Sequence, residues 1–70
     1  MNKYAIVIEK GERNYSAYVP DVPGCIATGA TIEEVREKLM EALESHLELM
    51  RAAGEPIPQP TTVTDYVEAG

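Results

Sequence analysis

Along residues 3–10, KYAIVIEK, apolar side chains fall on alternating faces, with Tyr4, Ile6 and Ile8 on one and Ala5 and Val7 on the other. That period of two, with β-branched residues carrying it, predicts a strand. GERN, residues 11–14, is a turn signal of hairpin length. A second strand is predicted over residues 14–20, NYSAYVP, with Tyr15, Ala17 and Val19 on one face and Ser16 and Tyr18 on the other, ending at Pro20. In the following DVPG, Pro23 pre-sets the φ of a turn's second position and Gly24 accepts the positive φ of the third, which predicts a type II turn. CIATG, residues 25–29, is short and apolar and reads as a third strand, completing an antiparallel meander.

From Thr31 the period changes. TIEEVREKLMEALESHLELMRAA, residues 31–53, predicts a long helix, with Thr31 as N-cap, Glu34 three residues on as its capping-box partner, and Gly54 as the stop. Ile32, Val35, Leu39, Leu43, His46, Met50 and Ala53 form one stripe; Met40, Ala42, Leu47 and Leu49 widen it to nearly half the helix. Packing on one sheet needs only about 100° of apolar surface, so the surplus edge suits a second contact. The opposite face carries Glu33, Glu34, Glu37, Lys38, Glu41, Glu44, Ser45, Glu48 and Arg51. Glu34 with Lys38 is a helpful i,i+4 pair, while Glu37 with Glu41 and Glu44 with Glu48 repel mildly. A face built so is solvated or meets something positive. GEPIPQP, residues 54–60, has prolines at 56, 58 and 60 and is expected to run as an extended strap. TTVTDYVEAG, residues 61–70, alternates in Thr, Val and Tyr and predicts a fourth strand. The expected fold class is α+β, in the order β-β-β-α-β: an antiparallel sheet with one long helix on one face.

Seventy residues make a single domain, 1–70. A chain this short buries only about 60% of the surface its unfolded form exposes. Small scaffolds add disulfides, a metal or another chain. Cys25 and His46 are each the only residue of their kind, so neither a disulfide within the chain nor a Cys/His zinc site is expected. Association is the remaining staple, and a homo-oligomer, dimer or higher, is expected. The net charge of −6 argues against direct nucleic-acid binding, which needs cations against phosphate, and against docking on anionic membrane. It favours a basic partner, beside the plain reading that acidity serves solubility. No apolar run approaches the ~20 residues of a membrane span. The N-terminal apolar run is five residues, Tyr4 to Ile8, ended by Glu9, unlike a secretory leader. With one unpaired cysteine, the cytoplasm is the expected compartment.

Little here points to catalysis. The carboxylates lie mostly on one helix face rather than in paired, differing environments. Glu34, Glu37, Glu41 and Glu48 do not converge as a hard cation requires. Cys25 opens a strand and reads as a small buried hydrophobe, and His46 lies on the apolar stripe, with no third residue to orient the two as nucleophile and base. Gly24, Gly29 and the entry to the helix lack phosphate-loop spacing, and Glu33 and Glu34 would repel a phosphate there. No cofactor, metal or catalytic residue is expected.

The combination Tyr4-x-Ile-x-Ile, Tyr15-x-Ala-x-Val-Pro-Asp-Val-Pro-Gly-Cys, Ala27-Thr-Gly-Ala-Thr-Ile-Glu-Glu-Val, a helix, and Gly54-x-x-Ile-Pro-x-Pro resembles the N-terminal domain of HicB-like antitoxins. The resemblance runs from about Tyr4 to Pro60. It implies a partial RNase H-like domain without the RNase H catalytic carboxylates. It implies the antitoxin half of a type II toxin-antitoxin pair, covering the active surface of a small basic HicA-like toxin, an mRNA endoribonuclease of double-stranded-RNA-binding type. Many members also carry a C-terminal helix-turn-helix or ribbon-helix-helix segment; this sequence stops at Gly70 without a basic tail, so DNA binding is not expected of it. The contact surface is expected on Tyr18 and Asp21 with the acidic helix residues Glu37, Glu41, Glu44 and Glu48, although VPDVPGCIATGAT, residues 19–31, serves first as a turn and helix entry. The alternative is a solitary homo-oligomeric structural or interaction protein with no toxin partner.

Overall fold

The structure is a computed structural model that describes residues 3–70; Met1 and Asn2, part of the expected domain, lie outside the described residues. Three strands, β1 (Val7–Lys10), β2 (Tyr15–Tyr18) and β3 (Ile26–Gly29), precede one helix, α1 (Ile32–Ala52). The sheet is an antiparallel meander in the order β1-β2-β3, and the fold is α+β.

β1 starts four residues later than the alternation predicts, for a reason visible in β2. Val7 opposes Tyr18 as the last pair of the ladder. The ladder bond two residues further out would need an N–H at Pro20, which proline lacks. Val19 instead donates to the Cys25 carbonyl at 3.2 Å and continues the β2–β3 pairing. Lys3 to Ile6 therefore run beside the sheet without joining it, and Tyr4 and Ile6 still pack on the core.

The loop between β2 and β3 is two consecutive turns. Val22 N–H donates to Val19 O at 3.1 Å with Pro20 in second position, and Cys25 N–H donates to Val22 O at 3.2 Å. Gly24, with φ +85°, holds the third position of the latter turn, as the type II prediction requires.

Helix α1 begins at Thr31, whose hydroxyl accepts from Glu34 N–H at 3.1 Å. The return half of the capping box shifts by one residue: Glu34 accepts from Ala30 N–H at 3.1 Å rather than from Thr31. At the other end, Gly54 (φ +72°) donates to Arg51 O and Glu55 to Met50 O. This pair of bonds is a Schellman motif, which satisfies the last carbonyls. The core is Ala17, Val19, Val22, Cys25, Val35 and Leu39, flanked by half-buried Ile8, Tyr15, Ala27, Ala42 and Leu43. Leu47 is buried as well, whereas Ile32, Met40 and Leu49, assigned to the stripe or its edge, are exposed. Gly29 lets the helix start press onto β3: a Cβ there would lie 2.8 Å from Val35 N.

The fourth strand expected over residues 61–70 does not form. Among the described residues the segment has no ladder partner, and Val63, Tyr66 and Val67 are 87%, 95% and 92% exposed. Alternation reports which side chains share a face, not whether a neighbouring edge is within reach. Here Thr61 and Thr62 are bonded to Asp21 in the β2–β3 loop, and the chain leaves the body from there.

Candidate partner-binding surfaces

A helix laid on one side of a three-stranded sheet leaves two broad surfaces, the back of the helix and the uncovered face of the sheet. On the helix, Val35 and Leu39 turn toward the sheet and are 0% and 1% exposed. Glu37, Glu41, Glu44 and Glu48 lie diametrically opposite, all exposed. They occupy an arc of about 60° and a length of about 16 Å at 3.6 residues per turn and 1.5 Å per residue. No cation pairs with any of the four among the described residues; the ion pair present is Lys38 with Glu34, at 3.1 Å. That bond, with Ala30 N–H and the Lys38 charge, holds the Glu34 carboxyl below its ordinary value. Beside the row, Tyr4, Ile6, Arg36, Leu39, Met40 and Leu43 line an open groove of about 270 Å³. It is smaller and shallower than sites that engulf a small molecule. Arg36 and Met40 also line the adjoining hollow with Glu33, Glu34 and Glu37, so the apolar groove and the carboxylate row are one continuous surface.

The sheet's open face follows from register. Tyr15, Ala17, Ala27 and Gly29 turn inward, so Ser16, Tyr18, Ile26 and Thr28 turn outward. Val7, Tyr18 and Ile26 are direct partners across the three strands and form an apolar row, with Tyr18 40% and Ile26 69% exposed. Glu9, Ser16 and Thr28 form the polar row beside it.

The six residues singled out from the sequence therefore do not share one surface. Glu37, Glu41, Glu44 and Glu48 line the back of the helix, and Tyr18 lies on the far side of the sheet. Asp21 sits at the sheet's end with its carboxylate occupied. Oδ2 accepts the backbone N–H of Thr61 (3.1 Å) and Thr62 (3.0 Å), and Oδ1 accepts their hydroxyls at 3.1 and 2.8 Å. The Thr62 amide first, then its hydroxyl and those of Thr61, hold the Asp21 carboxyl below its ordinary value. Asp21 thus works as an internal clamp, and the groove and Ile26 join the surfaces available to a partner. Neither was singled out from the sequence. Ile26 was readable from the alternation that placed Tyr18, while the groove depends on where Lys3–Ile6 lie.

For chemistry the structure offers little. Cys25 is 4% exposed, and burial pushes its thiol up, away from the thiolate a nucleophile requires. Among the described residues no group of three or more His, Cys, Asp or Glu side chains is placed to hold a metal ion, and no helix is long and apolar enough to cross a membrane.

The chain is similar to known proteins in sequence and in fold. Residues 4–70 match the model of the HicB_like antitoxin of bacterial toxin-antitoxin system. A 14.9 kDa protein from the rep-hol intergenic region of Haemophilus phage HP1 is 38% identical over 64 residues, 91% of this chain and 48% of that protein. A UPF0150 protein of Archaeoglobus fulgidus is 42% identical over 50 residues, 70% of this chain and 72% of its own length. The chain thus spans about half the length of the phage relative. Among solved structures, a chain of a HicA3 and HicB3 toxin-antitoxin complex superposes with a TM-score of 0.71 at 32% identity, over 86% of this chain and 70% of that one.

Proposed function

Because the chain belongs to the HicB-like antitoxin family of bacterial toxin-antitoxin systems, we propose that it is a binding protein that neutralises a small basic HicA-like ribonuclease in the cytoplasm by covering the toxin's RNA-binding surface. The observation that carries this reading is the unpaired row Glu37, Glu41, Glu44 and Glu48 continuous with the apolar groove at Arg36 and Met40. A surface that grips RNA must present Lys and Arg. A line of carboxylates about 16 Å long competes for those same cations, and the groove receives an apolar side chain that anchors the contact. The relation to a toxin-antitoxin complex supports such a partner. Neutralisation of this kind is steric and electrostatic, without bond-making by the antitoxin, in keeping with a buried, protonated Cys25.

The test is co-purification with the product of the adjacent reading frame, followed by titration at increasing salt. Affinity is expected to fall steadily as salt rises, since exposed charge pairs are screened. The double variant Glu44→Lys/Glu48→Lys should weaken the complex about tenfold or more, roughly one strong charge-pair equivalent, and restore RNA cleavage by the partner while leaving the melting temperature unchanged. Salt-independent binding, or full affinity in the charge-reversed variant, overturns the mechanism. Absence of any basic partner favours the solitary alternative.

A further inference from the structure

Two features lie outside the carboxylate row and its groove: the segment 63–69 and the outer edge of β3. The segment has strand-forming composition, yet Val63, Tyr66 and Val67 are 87–95% exposed. Its root is held, because Asp21 takes four hydrogen bonds from Thr61 and Thr62. It is an arm with a fixed origin and, among the described residues, no ladder partner.

The β3 edge is the complementary half. The bond from Val19 N–H to Cys25 O sets the alternation of the β2–β3 ladder. Ala27 and Gly29 bond inward to β2, and Ile26 and Thr28 turn their N–H and C=O groups outward. Solvent-exposed edges are normally guarded by charge, proline or a bulge. The β1 edge carries Glu9 and Lys10; the β3 edge, Ile-Ala-Thr-Gly, carries no charge and no proline. It also presents Ile26, 69% exposed, at the end of the apolar row.

We propose that residues 63–69 of one copy add as a strand to the β3 edge of a second copy, reciprocally, giving a two-fold dimer with exchanged arms. Each chain owns both halves of the junction, so a two-fold axis satisfies both arms and both edges at once. The receiving edge, Ile-Ala-Thr-Gly, carries no charge, so it accepts the arm's Val and Tyr without opposing its Asp65 and Glu68, and it lacks the charge that would draw a basic protein. The added layer of contact supplies burial that a 70-residue core lacks. This inference stands apart from the antitoxin reading, and its salt dependence has the opposite sign. Two chains of net charge −6 repel, so screening strengthens the dimer while it weakens the grip on a basic toxin.

The experiment uses the full chain alone, by sedimentation equilibrium from about 5 to about 500 µM, a range that spans weak dimer affinities. Mass should rise from 7.7 kDa toward twice that value, at lower concentration in high salt. The Tyr66→Pro/Val67→Pro variant removes an N–H from whichever side of the arm faces the edge. It should weaken association about tenfold or more, the loss of at least one ladder bond and the strand it interrupts, with the monomer's melting temperature intact. By hydrogen exchange, the Ile26 and Thr28 amides should slow as concentration rises, while Ile8 and Lys10 do not. A monomer throughout overturns the proposal. So does a dimer that the double proline leaves unchanged, protection at Ile8 and Lys10 instead, or an arm variant that loses toxin binding without a change in self-association.

Discussion

Replacing Gly29 by alanine adds one methyl group at the tightest point of the fold. The new Cβ would meet Val35 N at 2.8 Å, Cα at 3.1 Å and Cβ at 3.2 Å. Two of these are backbone atoms in the first turn of α1, and Val35 is 0% exposed, so no rotamer change relieves the overlap. The helix start must lift off β3 by several tenths of an ångström and open the core at Val35 and Leu39. Overpacking of this kind costs ~1–3 kcal/mol, and a backbone obstruction places Gly29→Ala at the upper end, about 3 kcal/mol. A domain of this size has a total stability of about 3.5–10 kcal/mol at ~0.05–0.15 kcal/mol per residue, so the methyl removes a third of it or more. At ~4–8 °C per kcal/mol the melting temperature should fall by about 12–24 °C. Gly24→Ala is the matched control. Nothing lies within 4 Å of its added Cβ, but φ is +85°, and the left-handed conformation alone costs an alanine about 1–2 kcal/mol. Urea titrations followed by far-ultraviolet circular dichroism would rank the two. If Gly29→Ala costs no more than Gly24→Ala, the close approach of helix and strand described above is wrong.

Two further outcomes follow from single groups. Thr31→Ala should cost about 1 kcal/mol in the same titration through loss of the bond to Glu34 N–H, and Thr31→Ser should recover most of it; equal stability of all three chains would show that Thr31 does not cap the helix. The Asp21 clamp should be sensitive to acid. The Thr62 amide and the other donors lower the Asp21 carboxyl below its ordinary 3.8. The stabilisation is therefore complete above pH 3.8 and is lost as pH falls through the still lower folded-state value. By NMR, the Thr61 and Thr62 amide signals should hold steady from neutral pH to that point and shift together below it. A midpoint above the ordinary carboxylate value would contradict the clamp.

Much of the architecture was legible because it rests on local periods. Residues 15–18 and 26–29 alternate, 32–52 repeat every three to four, and Pro23-Gly24 admits few turns, so those elements form where the pattern places them. The same alternation puts Tyr18 opposite the inward Ala17, and hence on the far side from a helix packed over Ala17. The separation of Tyr18 from the glutamate row was implicit in it. Three features were out of reach because they are non-local. Asp21 meets Thr61 and Thr62 across 40 and 41 residues, and no pattern near Asp21 announces its partners. The steric role of Gly29 depends on how closely α1 approaches β3. The missing fourth strand depends on whether an open edge lies within reach of the chain's path, a property of the assembled sheet rather than of residues 61–70.

The placement of the helix on one side of the sheet makes the molecule a slab with unlike faces. Its glutamate side and its Tyr18–Ile26 side are separated by roughly 20 Å, a helix about 10–12 Å across on a sheet layer of similar thickness. That separation is more than twice the ~8 Å screening length at physiological ionic strength. Charge placed on one side is nearly invisible from the other. On a slab of this shape, a ligand seated on either face would neither crowd nor electrically bias a ligand on the opposite one. Titrating both would yield additive occupancies rather than sigmoidal curves.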